Sequence, residues 1–136
     1  MTLNKAAHGR FEITVRGQVL ILKALEQWNE EAALAFEQEW MRLATPIANA
    51  PWAHLVFLDD WELSTPEVAP IISRVVVWSV AHNMTHTAQV YSPNMLKKYE
   101  LDRMVDNSKL PFEKQVFLNE NDAIQWLNGA GFYLDR

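Results

Sequence analysis

The side chains best suited to chemistry in this 136-residue chain fall in two short stretches. In residues 56–70, VFLDDWELSTPEVAP, an apolar run ends on Asp59 and Asp60, and Ser64 and Thr65 follow just before Pro66. In residues 82–86, HNMTH, two histidines stand four apart. Paired carboxylates suit a hard cation such as magnesium. Hydroxyls at the start of a helix suit either a phosphate or a plain N-cap. Imidazoles at that spacing on one helical face suit zinc.

Each chemical reading meets a physical objection. Adjacent residues of an extended strand point to opposite faces, so Asp59 and Asp60 cannot share an ion there, and no metal site is expected. His82 is followed by Asn83 where the zinc-protease motif has glutamate, and the strand-like residues after it place a helix end between the histidines. Thr65 before Pro66 reads as an N-cap with proline at the first helical position, and Ser64 with Glu67 as a capping box. A phosphate on either hydroxyl would be favoured by the helix dipole but repelled by Asp59, Asp60, Glu62 and Glu67. No Gly-x-Ser-x-Gly elbow or glycine-rich phosphate loop occurs, so no catalytic residue and no cofactor is assigned.

Composition narrows the classes further. Hydrophobic residues make up 49% and charged residues 21%, a globular balance that at this length fits one domain spanning 1–136. The net charge of -5 opposes binding to nucleic acid. No apolar run reaches the roughly 18 residues of a membrane span, and the first residues lack a secretory signal's apolar centre. With no cysteine in the chain, these features point to a cytoplasmic protein. The six tryptophans suit a core, with one or two left for a contact surface.

The elements that must position these residues follow from periodicity. Phe11, Ile13 and Val15 alternate with polar residues, Arg16-Gly17 makes a turn, and Val19 to Leu22 continue as a buried strand. Asn29 caps a helix whose inner face is Ala33, Phe36, Trp40, Leu43 and Ile47. A short strand from His54 leads to the two aspartates, and a helix runs from about Thr65 to His82. A strand over THTAQVYS precedes a third helix from Ser92 to about Asp106. The strand EKQVFLN and a last helix, stopped by Gly129 and Gly131, complete the chain. This order implies a mixed α/β sheet of about five strands with four helices.

The GRFEITVRGQV hairpin, the WAHLVFLDDWELSTPE strand-to-helix passage and the C-terminal VFLNENDAIQWL resemble the SpoIIAA-like family of the STAS-type fold, with element order matching over residues 9–135. The resemblance implies an anti-sigma-factor-antagonist-like domain that acts by binding another protein. In the antagonists a serine at the start of the helix after the third strand is phosphorylated, which maps onto Ser64 or Thr65 beside Asp60 as phosphoacceptor or docking residues. The family pattern sets two hydroxyls and a glycine directly after the aspartate; here the order is Asp60-Trp61-Glu62-Leu63-Ser64-Thr65-Pro66.

The second helix is apolar nearly all round, with Ser73, Arg74 and Ser79 as its only strongly polar positions. A strip of Ile71, Val75 and Trp78 is therefore expected to face a partner chain, as in a homodimer, or a ligand. The leading expectation is a non-enzymatic regulatory or protein-interaction domain. The alternative is a carrier or sensor of a small apolar, lipid-like ligand.

Overall fold

The structure, a computed structural model, describes residues 9–62, 65–92, 101 and 111–134. Strands β1 (Arg10–Arg16) and β2 (Val19–Gln27) form a hairpin closed by Gly17 and Gln18, with Arg16 opposite Val19 and Gly17 at φ 61°. That left-handed conformation is one glycine adopts without strain, and it turns the chain in two residues. Helix α1 (Glu30–Ala44) opens on the expected cap: the Asn29 side chain accepts the Ala32 amide at 3.1 Å, with Glu30 and Glu31 in the first turn. It ends in a 3-10 turn over Thr45–Ile47.

After β3 (Trp52–Phe57) the chain turns through Leu58–Asp60 into β4 (Trp61–Glu62), a two-residue strand the sequence did not announce. Then come α2 (Val68–Ala81), β5 (Met84–Val90), β6 (Glu113–Phe117) and α3 (Glu120–Gly129). The sheet runs β1-β2-β3-β5-β6, antiparallel at the hairpin and parallel elsewhere, while β4 pairs with the end of β2 at Glu26 and Gln27. The sheet is thus mixed and six-stranded, against the five expected. Three α-helices occur among the described residues. The expected helix over 92–106 lies outside them except for Ser92 and Leu101, the latter helical and buried.

Period-two alternation divides the sheet between two cores. Leu20, Leu22, Ala24, Trp52 and Val56 point towards α1 and α2. Val19, Ile21, Ala53, Leu55 and Phe57 point the other way, onto Ala123 and Leu127 of α3. Because both faces are covered, β2 and β3 read as continuous apolar runs rather than alternating ones.

Strand β5 departs from strict alternation. Met84 pairs with Trp52 but His86 pairs with Ala53, so Thr85 is an extra residue in a bulge. The bulge reverses the alternation beyond it. His86, Ala88 and Val90 face α3, where His86 lies 5.3 Å from the Trp126 ring, whereas Thr87 and Gln89 join His54 on the α1/α2 side.

Candidate functional site

Helix α2 begins at Val68, later than its sequence signals suggest. Its N-cap position is Glu67, with no side-chain cap. Thr65 therefore does not cap it: the Thr65 amide donates to the Trp28 carbonyl at 3.2 Å, its own carbonyl accepts the Val68 amide, and its Oγ1 is buried without a partner. Pro70 falls in the first turn, where an amide has no intrahelical acceptor to lose, so the helix accommodates it. Ser64 lies outside the described residues. Asp59 and Asp60 stand in the turn after β3 rather than in an extended strand, and they hold different neighbours. The Asp59 carboxylate accepts the Ser92 amide at 2.8 Å, and the Asp60 carbonyl accepts the Glu26 amide at 2.8 Å. Asp60 and Thr65 are not brought together by any hydrogen bond. Among the described residues no group of three or more acidic or histidine side chains is placed to hold a metal.

The expected outward strip on α2 is corrected by the packing. Ile71 (5% exposed) and Val75 (2%) belong to the core against α1 and the sheet, so they cannot meet another chain. Only Trp78 of that trio is partly exposed, stacked on His82 at 4.3 Å. The outer face instead carries Pro70, Arg74, Val77 (56%) and Ala81. Arg74 there clasps Glu37 of α1 in a two-pronged ion pair that holds the Glu37 carboxyl below its usual range. The histidines separate as expected. Helix α2 ends at Ala81, Asn83 takes φ 81°, and His86 belongs to β5.

The structure gathers a different constellation between the sheet and the two helices. A cavity of about 80 Å³ lies there, walled by Leu22, Val56, Val75, Val76 and Met84 and bordered by Leu101 and Phe112. Its lining is overwhelmingly apolar, yet it includes His54, Trp61, Thr87 and Gln89. His54 sits opposite Thr87 in the ladder and Val56 opposite Gln89, so His54 and Gln89 are diagonal neighbours on one face. Trp61 reaches the same end of the sheet by a short relay: the Leu58 amide donates to the carbonyl of Val90, next to Gln89, and the Trp61 amide donates to the Leu58 carbonyl.

These polar groups are buried without partners in the described protein: His54 Nε2, Trp61 Nε1 and Gln89 Oε1. The contrast with the other indoles is sharp. Trp28 Nε1 donates to the carbonyls of Arg10 and Leu25, Trp40 Nε1 to Ser79 Oγ, and Trp52 Nε1 to the His82 carbonyl. Trp61 and Gln89 are each only 3% exposed. His54 keeps some accessible surface, but its Nε2 is hidden and the ring meets the Trp40 indole edge-on at 4.5 Å. Burial holds the imidazole neutral, with its pKa lowered to about 3. Ser79 cannot act as a nucleophile beside it, because its hydroxyl donates to the Val75 carbonyl while accepting from Trp40.

Sequence reasoning passed over all three polar residues. His54 and Gln89 stand in strands that read simply as buried, and only the bulge at Thr85 turns Gln89 inward. A polar residue flanked by fully apolar neighbours, as in WAHLVF and TAQVY, was the available signal.

On the α3 side a larger and more open hollow, about 300 Å³, is lined by Glu12, Lys23 and Glu120 among others. Its walls carry charges of both signs and no hidden unpartnered atom among the described residues.

Comparison with known proteins places the architecture. No family model matches the chain, and no curated protein matches it in sequence. Among solved structures, it is similar to an uncharacterized protein from the DUF3478 family with a SpoIIAA-like fold, from Shewanella loihica PV-4. That match has a TM-score of 0.71 and 19% identity over 93% of this chain and 98% of the other. It is also similar to the anti-sigma factor antagonist SpoIIAA in its unphosphorylated form, with TM-score 0.58 and 9% identity over 90% and 99% of the two chains. A third likeness is to an anti-sigma factor antagonist from Mycobacterium paratuberculosis, with TM-score 0.57 and 13% identity over 89% and 95%. At these identities the likeness is one of fold, and the chain has a SpoIIAA-like fold.

Proposed function

We infer that this chain is a non-enzymatic binding domain, a carrier or sensor that holds a small and largely apolar molecule between the sheet and helices α1 and α2. One observation carries this reading: the interior space is lined by apolar side chains among which three hidden polar atoms have no protein partner. A buried polar group without a hydrogen bond costs about 1–3 kcal/mol, so a core evolved for stability alone would replace or satisfy them. At about 80 Å³ the space is roughly half an engineered cavity that admits benzene, which suits a small molecule or the end of a longer one.

Native mass spectrometry of gently purified protein tests this. A non-covalent adduct should be present, released on denaturation and absent from Val76→Phe, which fills the cavity wall. A wild-type chain with no adduct, whose melting temperature is also unmoved by saturating 1-chloropropane, contradicts it.

A second reading rests on the exposure of Val77 beside the half-buried Trp78 on α2, and on the fold shared with two anti-sigma factor antagonists. Here the domain regulates by docking to a protein, including a second copy of itself, through the outer face of α2. Sedimentation supports it if a wild-type dimer is lost in Val77→Glu; a strict monomer contradicts self-association. Phosphorylation at Ser64 or Thr65 would belong to this reading, and the hidden Thr65 hydroxyl weighs against that residue as the acceptor.

A further inference from the structure

The cavity also constrains the chemistry of what enters it. Gln89 and Trp61 lie near the carboxyl ends of the parallel strands β5 and β3, where open α/β sheets bind ligands, and His54 lies further back along β3, opposite Thr87. Trp61 Nε1 can only donate and Gln89 Oε1 can only accept, while the neutral His54 Nε2 does either according to tautomer. Among the described residues no Lys, Arg, Asp or Glu lines the space. A charged ligand group there would lose its hydration without gaining a counter-ion from the described residues. A wholly apolar ligand would leave all three atoms unsatisfied.

We propose that the cavity selects an uncharged molecule with an apolar body and a hydroxyl or amide end, which accepts from Trp61 and donates to Gln89, with His54 completing the polar wall. The inference rests on the ligand-binding reading and adds the class of ligand: neutral alcohols and amides, with carboxylates and amines rejected.

Three probes that share a propyl chain separate the possibilities: 1-chloropropane, 1-propanol and butyrate. Each is titrated at pH 7 into the ¹⁵N-labelled chain while the Trp61 indole N–H resonance is followed. The hydroxyl prefers water to hydrocarbon, so transfer alone favours 1-chloropropane. The proposal expects 1-propanol to bind at least as tightly, to shift the Trp61 indole signal, and to exceed butyrate by about tenfold or more. In Gln89→Leu the affinity for 1-propanol should fall about fivefold with that for 1-chloropropane unchanged, as loss of one net hydrogen bond requires. The Trp61 signal in the wild type carries the test should that variant fold poorly. Tighter binding of 1-chloropropane than of 1-propanol, or butyrate matching 1-propanol, overturns the proposed selectivity and leaves the ligand-binding reading intact. Failure of all three to bind removes both.

Discussion

The two sides of the sheet are built from the same strands and differ in what they leave unfinished. Towards α3, Ala53, Leu55, Ala88 and Val90 meet Ala123 and Leu127 in a core with no buried polar side chain among the described residues, and half-buried His86 at its edge is flanked by Trp126 and Phe132. Towards α1 and α2 the core is larger and richer in aromatics, yet it keeps a cavity and three unpartnered polar atoms. Close packing is the default of protein interiors, so this departure within the α1/α2 core is the observation on which the ligand-binding proposal rests.

Acid should expose the difference most strongly. The His54 imidazole has an ordinary value of 6.5 and a folded value of about 3. Between those pH values the unfolded chain binds the extra proton, so stability falls as pH drops from 6.5 towards 3; above 6.5 the residue contributes no slope. The full loss is on the order of 5 kcal/mol at pH 3. Denaturant unfolding at pH 7 and pH 4 should show His54→Leu losing most of the wild type's acid sensitivity. An unchanged slope in that variant would mean that His54 is not the group responsible.

Truncation should separate the faces next. Leu55→Ala, on the closed side, is expected to cost about 2–5 kcal/mol. Leu22→Ala, on the cavity wall, should cost about 1 kcal/mol less, because a side chain beside a void has fewer contacts to lose. Equal losses, measured by urea midpoints, would argue that the two sides are packed alike. The helix caps make a control, since they lie outside the contrast. Asn29→Ala on α1 and Asn119→Ala on α3 should each cost about 1 kcal/mol, for both side chains accept a first-turn amide. The smallest effect is expected at Gln89→Leu, where stability should stay within about 1 kcal/mol of wild type or rise, because an unsatisfied carbonyl is exchanged for a hydrocarbon. A large loss there would show that Gln89 already has a partner inside the protein.

Much of the architecture could be read from the chain because it depends on local rules. Gly17 fixed the hairpin, Asn29 fixed the start of α1, and the run at Val19 signalled a strand buried on both faces. Strand β4 was missed because two residues give no periodicity. The start of α2 was misplaced because Ser64, Thr65 and Pro66 carry strong capping chemistry, while the observed start at Val68 has no side-chain cap. Of the strip expected to face a partner chain or a ligand, Ile71 and Val75 are turned into the core, and Val75 lines the cavity; composition alone cannot say which stripe of so apolar a helix α1 covers. The cavity was invisible for a related reason: it depends on the Thr85 bulge, which reverses alternation in β5 without any glycine or proline to mark it.

The central claim, that the α1/α2 side of the sheet holds an apolar binding space within its core while the α3 side offers only an open hollow with charged walls, is tested most directly by diffraction from crystals under xenon pressure. Xenon density should appear among Leu22, Val56, Val75 and Met84, with none between the sheet and Ala123 or Leu127. Xenon absent from the first region, or seated instead under α3, would contradict the account.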